Sequence, residues 1–120
     1  MYEYSAKIIS VHDGDTFTAE IDLGFNIKVK SVFRLFGVDT PELNKTDQKA
    51  AGTISRDFVT EKLKNRDIII QSIKAEGVKD KYGRYLAKVR FIDSDLQQKD
   101  LSELLIANNL AVAYFGGKKQ

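Results

Sequence analysis

An α+β fold, mainly β, is what the sequence predicts: a small barrel of five strands, with one helix between the third and fourth and a short helix near the C-terminal end. Three observations carry that expectation. Segments rich in β-branched and aromatic residues alternate with polar ones at the period of a strand. Turn residues cut these segments into short units. Two further stretches have the apolar spacing of a helix. An open α+β sheet is the alternative that the same order of elements allows. At 120 residues, 42% hydrophobic and 30% charged, the chain is expected to form one domain over 1–120, with a core that needs no disulfide or metal staple.

Residues 2–11 and 16–23 read as paired strands around the turn His12-Asp13-Gly14-Asp15. Gly24-Phe25-Asn26 is a second turn, after which Ile27, Val29, Ser31 and Phe33 alternate with Lys28, Lys30, Val32 and Arg34 in a half-buried third strand. Asp39-Thr40-Pro41-Glu42 ends it, because proline supplies no ladder donor and biases Thr40 to an extended shape. Thr46 or Asp47 can cap a helix running to about Lys64, with Ala50, Ala51, Ile54, Phe58, Val59 and Leu63 near helical spacing. Gly52 inside it costs up to ~1 kcal/mol relative to alanine. Residues 68–73 and 86–92 are strands joined through the polar turn 77–84 as a long hairpin. Residues 102–108 form a short helix with Leu101, Leu104 and Leu105 on its buried side, followed by an apolar tail over 110–115 and a frayed Gly-Gly-Lys-Lys-Gln end. Three strands, helix, two strands, helix is the OB-type arrangement, a common nucleic-acid-binding shape.

Composition narrows the chemistry. With no cysteine and one histidine, thiolate nucleophiles, iron–sulfur clusters and multi-histidine zinc sites are excluded. Carboxylates, arginine, lysine and tyrosine are left. The net charge of +2 is unevenly spread: residues 1–43 carry four bases and seven acids, 44–90 twelve and six, and 91–120 three and four, giving −3, +6 and −1. A basic middle beside an acidic start is suited to a polyanion with a cation between it and the acids, although solvated surface faces would give the same count. No apolar stretch approaches the ~20 residues of a membrane span, so no membrane association is expected. The start of the chain lacks signal-peptide features, which leaves a cytoplasmic protein or the mature form of a secreted one.

Three segments stand out: Asp13-Gly14-Asp15-Thr16, then Arg34-Leu35-Phe36-Gly37-Val38-Asp39-Thr40-Pro41-Glu42, then Asp80-Lys81-Tyr82-Gly83-Arg84. Singly, each reads as a turn, a strand terminator or a hairpin tip. All three in this order, each at a strand end, resemble the staphylococcal nuclease (thermonuclease) family over essentially the whole chain, up to Tyr114. The resemblance implies an OB-type barrel that hydrolyses phosphodiester bonds of DNA and RNA with calcium, leaving 3′-phosphate ends. By the same resemblance, Asp15, Asp39 and the backbone carbonyl of Thr40 match metal ligands, with Asp13 behind them. Arg34 and Arg84 match phosphate-binding arginines, and Glu42 the residue that activates or positions the attacking water. Lys81 and Tyr82 match contacts to a terminal phosphate, and Tyr114 an aromatic near the nucleotide. Tyr114 reads equally as a core tyrosine. His12 matches no functional position.

The residue types suit the role. Calcium takes hard oxygen ligands and several waters. Arginine keeps its charge at any working pH and binds phosphate with a planar fork. A carboxylate beside a metal-bound water can take its proton or hold it in place. No obligate protein partner is expected, and the chain is read as a monomer. The rival reading is a nuclease-like barrel that only binds nucleic acid; the presence of every acid and both arginines disfavours it.

Two departures from the family are visible. The segment between Glu42 and the first helix is short, and the chain stops soon after Tyr114, with Gly116-Gly117 where a second tyrosine is common; a less covered barrel bottom is expected. The spacing also poses a geometric demand. Arg34 and Asp39 differ by an odd number and would face opposite sides of a regular strand, so the chain is expected to depart from strand geometry near Gly37.

Overall fold

The computed structural model describes residues 2–73 and 83–114. Strand β1 (Glu3–Asp13) turns through Gly14 and Asp15 into β2 (Thr16–Asp22), which turns again into β3 (Lys28–Leu35). The second turn places Gly24, Phe25 and Asn26 in succession at positive φ. A short β4 (Gly37–Asp39) follows, then a 3-10 turn over Thr46–Gln48 that runs into α1 (Lys49–Leu63). The chain continues through β5 (Ile68–Ser72), β6 (Tyr85–Ile92), β7 (Gln98–Asp100), α2 (Leu101–Ala107) and β8 (Val112–Tyr114).

The strands pair in the order β3-β2-β1-β5-β6, and β6 returns to β3 in parallel through Phe33↔Tyr85, Arg34↔Leu86 and Leu35↔Ala87. This closes the five-stranded OB-type barrel expected from the order of elements, with α1 between its third and fourth strands. β7 extends the sheet at β6, and β4 and β8 form a separate antiparallel pair. Neither β7 nor the β4–β8 pair is marked by sequence alternation, because each is only three residues long.

Alternation decides what lies inside. Phe17, Ala19 and Ile21 of β2, Phe33 and Leu35 of β3, Ile68 and Ile70 of β5, and Ala87, Val89 and Phe91 of β6 are all buried. α1 adds Val59 and Leu63, and α2 adds Leu101 and Leu105. A fully buried side chain of this kind contributes about 1.5–3 kcal/mol. Gly52, costly in a helix, has a packing reason: a Cβ there would stand 3.0 Å from the carbonyl oxygen of Pro41. Its absence lets α1 lie directly against the 41–42 backbone. Asp100 caps α2 by accepting the Glu103 amide at 3.0 Å. Among the described residues no helix is long and apolar enough to cross a membrane. The tip of the expected β5–β6 hairpin, with Lys81 and Tyr82, lies outside the described residues.

Candidate active site

The chain leaves strand geometry where the spacing of Arg34 and Asp39 requires it. β3 ends at Leu35, Phe36 is a turn residue, and Gly37 resumes at φ +87°, a region that favours glycine because no Cβ collides with the carbonyl. The break is held from both sides. The Phe36 amide donates to the Ala87 carbonyl at 2.8 Å, and its own carbonyl accepts from the Ser102 hydroxyl at 2.7 Å. Folded this way, Arg34 reaches around the break: Nη1 donates to the carbonyls of Leu35 (2.8 Å) and Val38 (2.7 Å), and Nη2 stands 3.4 Å from Asp39 Oδ1.

Asp15 comes to the same place from the β1–β2 turn. Its side chain is 7% exposed, with Oδ2 accepting the Thr40 amide at 2.9 Å and lying 3.5 Å from Arg34 Nη1. Its Oδ1 accepts from the Thr16 hydroxyl at 3.0 Å, and that hydroxyl accepts from Arg84 Nη1 at 3.3 Å. A continuous polar chain therefore runs from Arg84 through Thr16, Asp15 and Arg34 to Asp39. Thr16 and Arg84 are 68 residues apart, and the parallel closure of β6 on β3 is what brings them together.

Electrostatically, two carboxylates share one guanidinium in a largely buried setting, where screening is weak and an unbalanced negative charge is costly. Beside them the Thr40 hydroxyl is buried without a hydrogen-bond partner. The two carboxylates and this hydroxyl are hard oxygen donors, the type that calcium takes together with water. Among the described residues no three Asp, Glu, His or Cys side chains gather as a metal cluster. Asp13, expected behind the ligands, accepts the Leu43 amide at 3.1 Å and fastens the 40–43 segment to the turn.

The family model described as staphylococcal nuclease homologue matches residues 32–120. The chain belongs to this family. An uncharacterized protein of Methanocaldococcus jannaschii is 34% identical over 129 aligned residues, which cover 92% of this chain and 59% of that protein. The chain thus spans about 59% of the length of this curated relative. Membership of the staphylococcal nuclease family ties the domain to nuclease-type or nucleic-acid-binding function. The family match begins at Val32, after Asp13 and Asp15, so the place of those two acids rests on the geometry above.

Glu42 and Tyr114, the other expected site residues among those described, lie close by in the chain or the sheet. Glu42 follows the carboxylate pair in the chain and makes an ion pair with Lys45 at 2.9 Å, with its side chain 39% exposed. The Glu42 amide donates to Gln48 Oε1 at 3.0 Å, which ties the loop to the start of α1. Tyr114, on β8 opposite Gly37, sets its ring centroid 5.8 Å from the Arg34 guanidinium, a cation–π contact. Sequence reasoning missed Thr16, Lys45 and Ser102. Thr16 stands inside the Asp-Gly-Asp-Thr motif and could have been read from it, whereas Ser102 carries no local signal.

Proposed function

We propose that the protein is a calcium-dependent nuclease that hydrolyses phosphodiester bonds of DNA and RNA and leaves 3′-phosphate ends. The observation that carries this reading is the convergence of Asp15, Asp39, Arg34 and Arg84 on one polar chain at the strand break. Asp15, Asp39 and the Thr40 carbonyl are the residues that would hold the cation. When bound, calcium supplies positive charge to the phosphate oxygens and lowers the pKa of water.

The rest of the work falls to the chain's own groups. Arg34 spends Nη1 on two carbonyls and shares Nη2 with Asp39, so a phosphate would compete with Asp39 for Nη2 and meet the rest of the fork beside Tyr114. Arg84 approaches from β6 and supplies the second fork. Fixed positive charge of this kind stabilises the doubly charged pentacoordinate transition state more than the ground state, the condition for rate acceleration. Glu42 takes the proton of the attacking water or holds that water in line. Its pair with Lys45 is exposed, worth at most about 1 kcal/mol, and opens at little cost. The water oxygen bonds to phosphorus and the bond to the 5′ oxygen breaks. That oxygen leaves as a 5′-hydroxyl after taking a proton from solvent, and the phosphate stays on the 3′ side.

Incubation with single- and double-stranded DNA and RNA, in calcium, magnesium or chelator, tests the reading. Cleavage in calcium that chelator abolishes is the expected result. Binding without cleavage under every condition would mark a nucleic-acid-binding module instead.

A further inference from the structure

The β4–β8 ribbon presents the proposed site on one of its faces. Cross-strand partners share a face, as do residues two apart on a strand. Asp39, its partner Val112, and Tyr114, the partner of Gly37, therefore lie on the same side, while Val38 between them is buried in the core. The Arg34 guanidinium joins the two ends of this face, 5.8 Å from the Tyr114 ring centroid and 3.4 Å from Asp39 Oδ1. At the Asp39 end the surface falls into an open cleft of about 210 Å³, with Asp39, Thr40, Pro41, Gln48, Asn109 and Val112 in its wall. Tyr114 stands two residues beyond Val112, about 6–7 Å further along β8.

The position of the cleft decides its occupant. Asp39 and Thr40 form part of its wall and are also residues that would hold the cation, so a phosphate at that centre lies at the edge of the cleft. A phosphodiester carries a nucleoside on each side. If one meets the Tyr114 ring, the other is left the cleft. The wall suits a base. Pro41 and the exposed Val112 offer apolar surface for a ring, and the Asn109 amide carries both a donor and an acceptor. Gln48 spends its Oε1 on the Glu42 amide and keeps its NH₂ donors. Asn109 sits directly after α2 at φ +59°, with its own amide donating to the Ile106 carbonyl at 3.0 Å, so the backbone that carries the side chain is fixed. Apolar surface with a few placed polar groups is the make-up of a ligand site, and a volume below the ~300 Å³ of drug-sized pockets limits the occupant to a base rather than a whole nucleotide.

We infer that this cleft is a base subsite: it takes the nucleobase that lies across the cut phosphate from Tyr114, with the edge of that base on the Asn109 amide. The inference rests on the nuclease reading and adds to it a second base position and a substrate form. A base edge that meets Asn109 is not paired with another strand, so the subsite favours single strands and frayed ends over intact duplex.

The test measures KM and kcat in calcium for a thymidine tetranucleotide whose central phosphodiester is the only cleavable linkage, intact or with an abasic linker at either nucleotide flanking the cut. For the wild-type protein, an abasic linker on either side raises KM about 5-fold or more, with kcat little changed. Asn109→Gly removes the amide at a backbone angle that glycine tolerates. It shrinks the abasic effect on one side of the cut by about 2- to 10-fold, the value of one net hydrogen bond, and Tyr114→Ala shrinks the effect on the other side. The subsite is overturned, and the nuclease reading left standing, by cleavage that shows no abasic effect on the side away from Tyr114 or by both variants acting on the same nucleotide. An Asn109→Gly variant that shifts KM equally for intact and abasic strands, or not at all, overturns it in the same way. A wild-type protein that cuts no strand in calcium overturns both.

Discussion

The backbone amide of Thr40 donates to the buried carboxylate of Asp15 over 2.9 Å, joining positions 25 residues apart. This bond, with the Leu43 amide on Asp13, sews the segment after β4 to the β1–β2 turn. Both acids of the turn therefore have structural work, and Asp15 has the proposed metal as well. Asp15→Asn keeps an oxygen for the Thr40 amide but removes the charge. Calorimetric titration should show calcium affinity falling tenfold or more, with an unfolding free energy within about 1–2 kcal/mol of wild type. Calcium binding of undiminished strength would remove Asp15 from the ligand set.

Gly14 leaves no room for a side chain. A Cβ there would stand 3.0 Å from both Ser55 Cβ and Thr40 Cγ2, two side-chain carbons with little freedom to move. Gly14→Ala should cost about 1–3 kcal/mol in urea unfolding through overpacking, and should displace Thr40 enough to weaken calcium binding as well. An unchanged midpoint would mean that Ser55 and Thr40 yield freely.

Ser102 acts at a distance from the polar chain. Its hydroxyl holds the Phe36 carbonyl at the break that lets Arg34 and Asp39 meet. Ser102→Ala should lower stability by about 1 kcal/mol and reduce kcat more than it raises KM, because the arginine is positioned less sharply. Kinetics that match wild type, with stability alone reduced, would confine Ser102 to packing.

At the far end of α1, Asp93 is held below the ordinary aspartate value of 3.8, first by the Ser94 amide and then by Lys62 at 3.2 Å. A depressed carboxylate contributes stability that is complete above its unfolded pKa and is lost as pH falls through the lower folded value. Asp93→Asn should therefore be less stable than wild type at neutral pH, and the gap should close as pH falls below 3.8. Glu3, lowered by its hydrogen bond from Arg90, shares this acid limb and keeps it in the variant. Chemical denaturation at several pH values reads the gap directly. A gap constant down to about pH 2 would show that the variant loses packing rather than charge.

The barrel was legible because alternation is local: Phe17, Ala19 and Ile21, or Ala87, Val89 and Phe91, announce their buried face within one strand. The break at Gly37 was legible for another reason, since two residues of odd spacing had to share one site. What could not be read is long-range. The parallel closure of β6 on β3, the pairing of Gly37 with Tyr114 and the bond from Arg84 to Thr16 all depend on where the barrel brings distant segments. The amide that Asp13 accepts is also distant, 30 residues along the chain at Leu43.

One measurement bears most directly on the central claim: the chemistry of the ends produced from a defined strand in calcium by wild type, Glu42→Ala and Arg84→Ala. The account predicts 3′-phosphate and 5′-hydroxyl ends from wild type, and a loss of at least about a hundredfold in kcat for each variant with the fold intact. Products bearing 5′-phosphate, cleavage that persists in chelator, or unchanged turnover in either variant would contradict it.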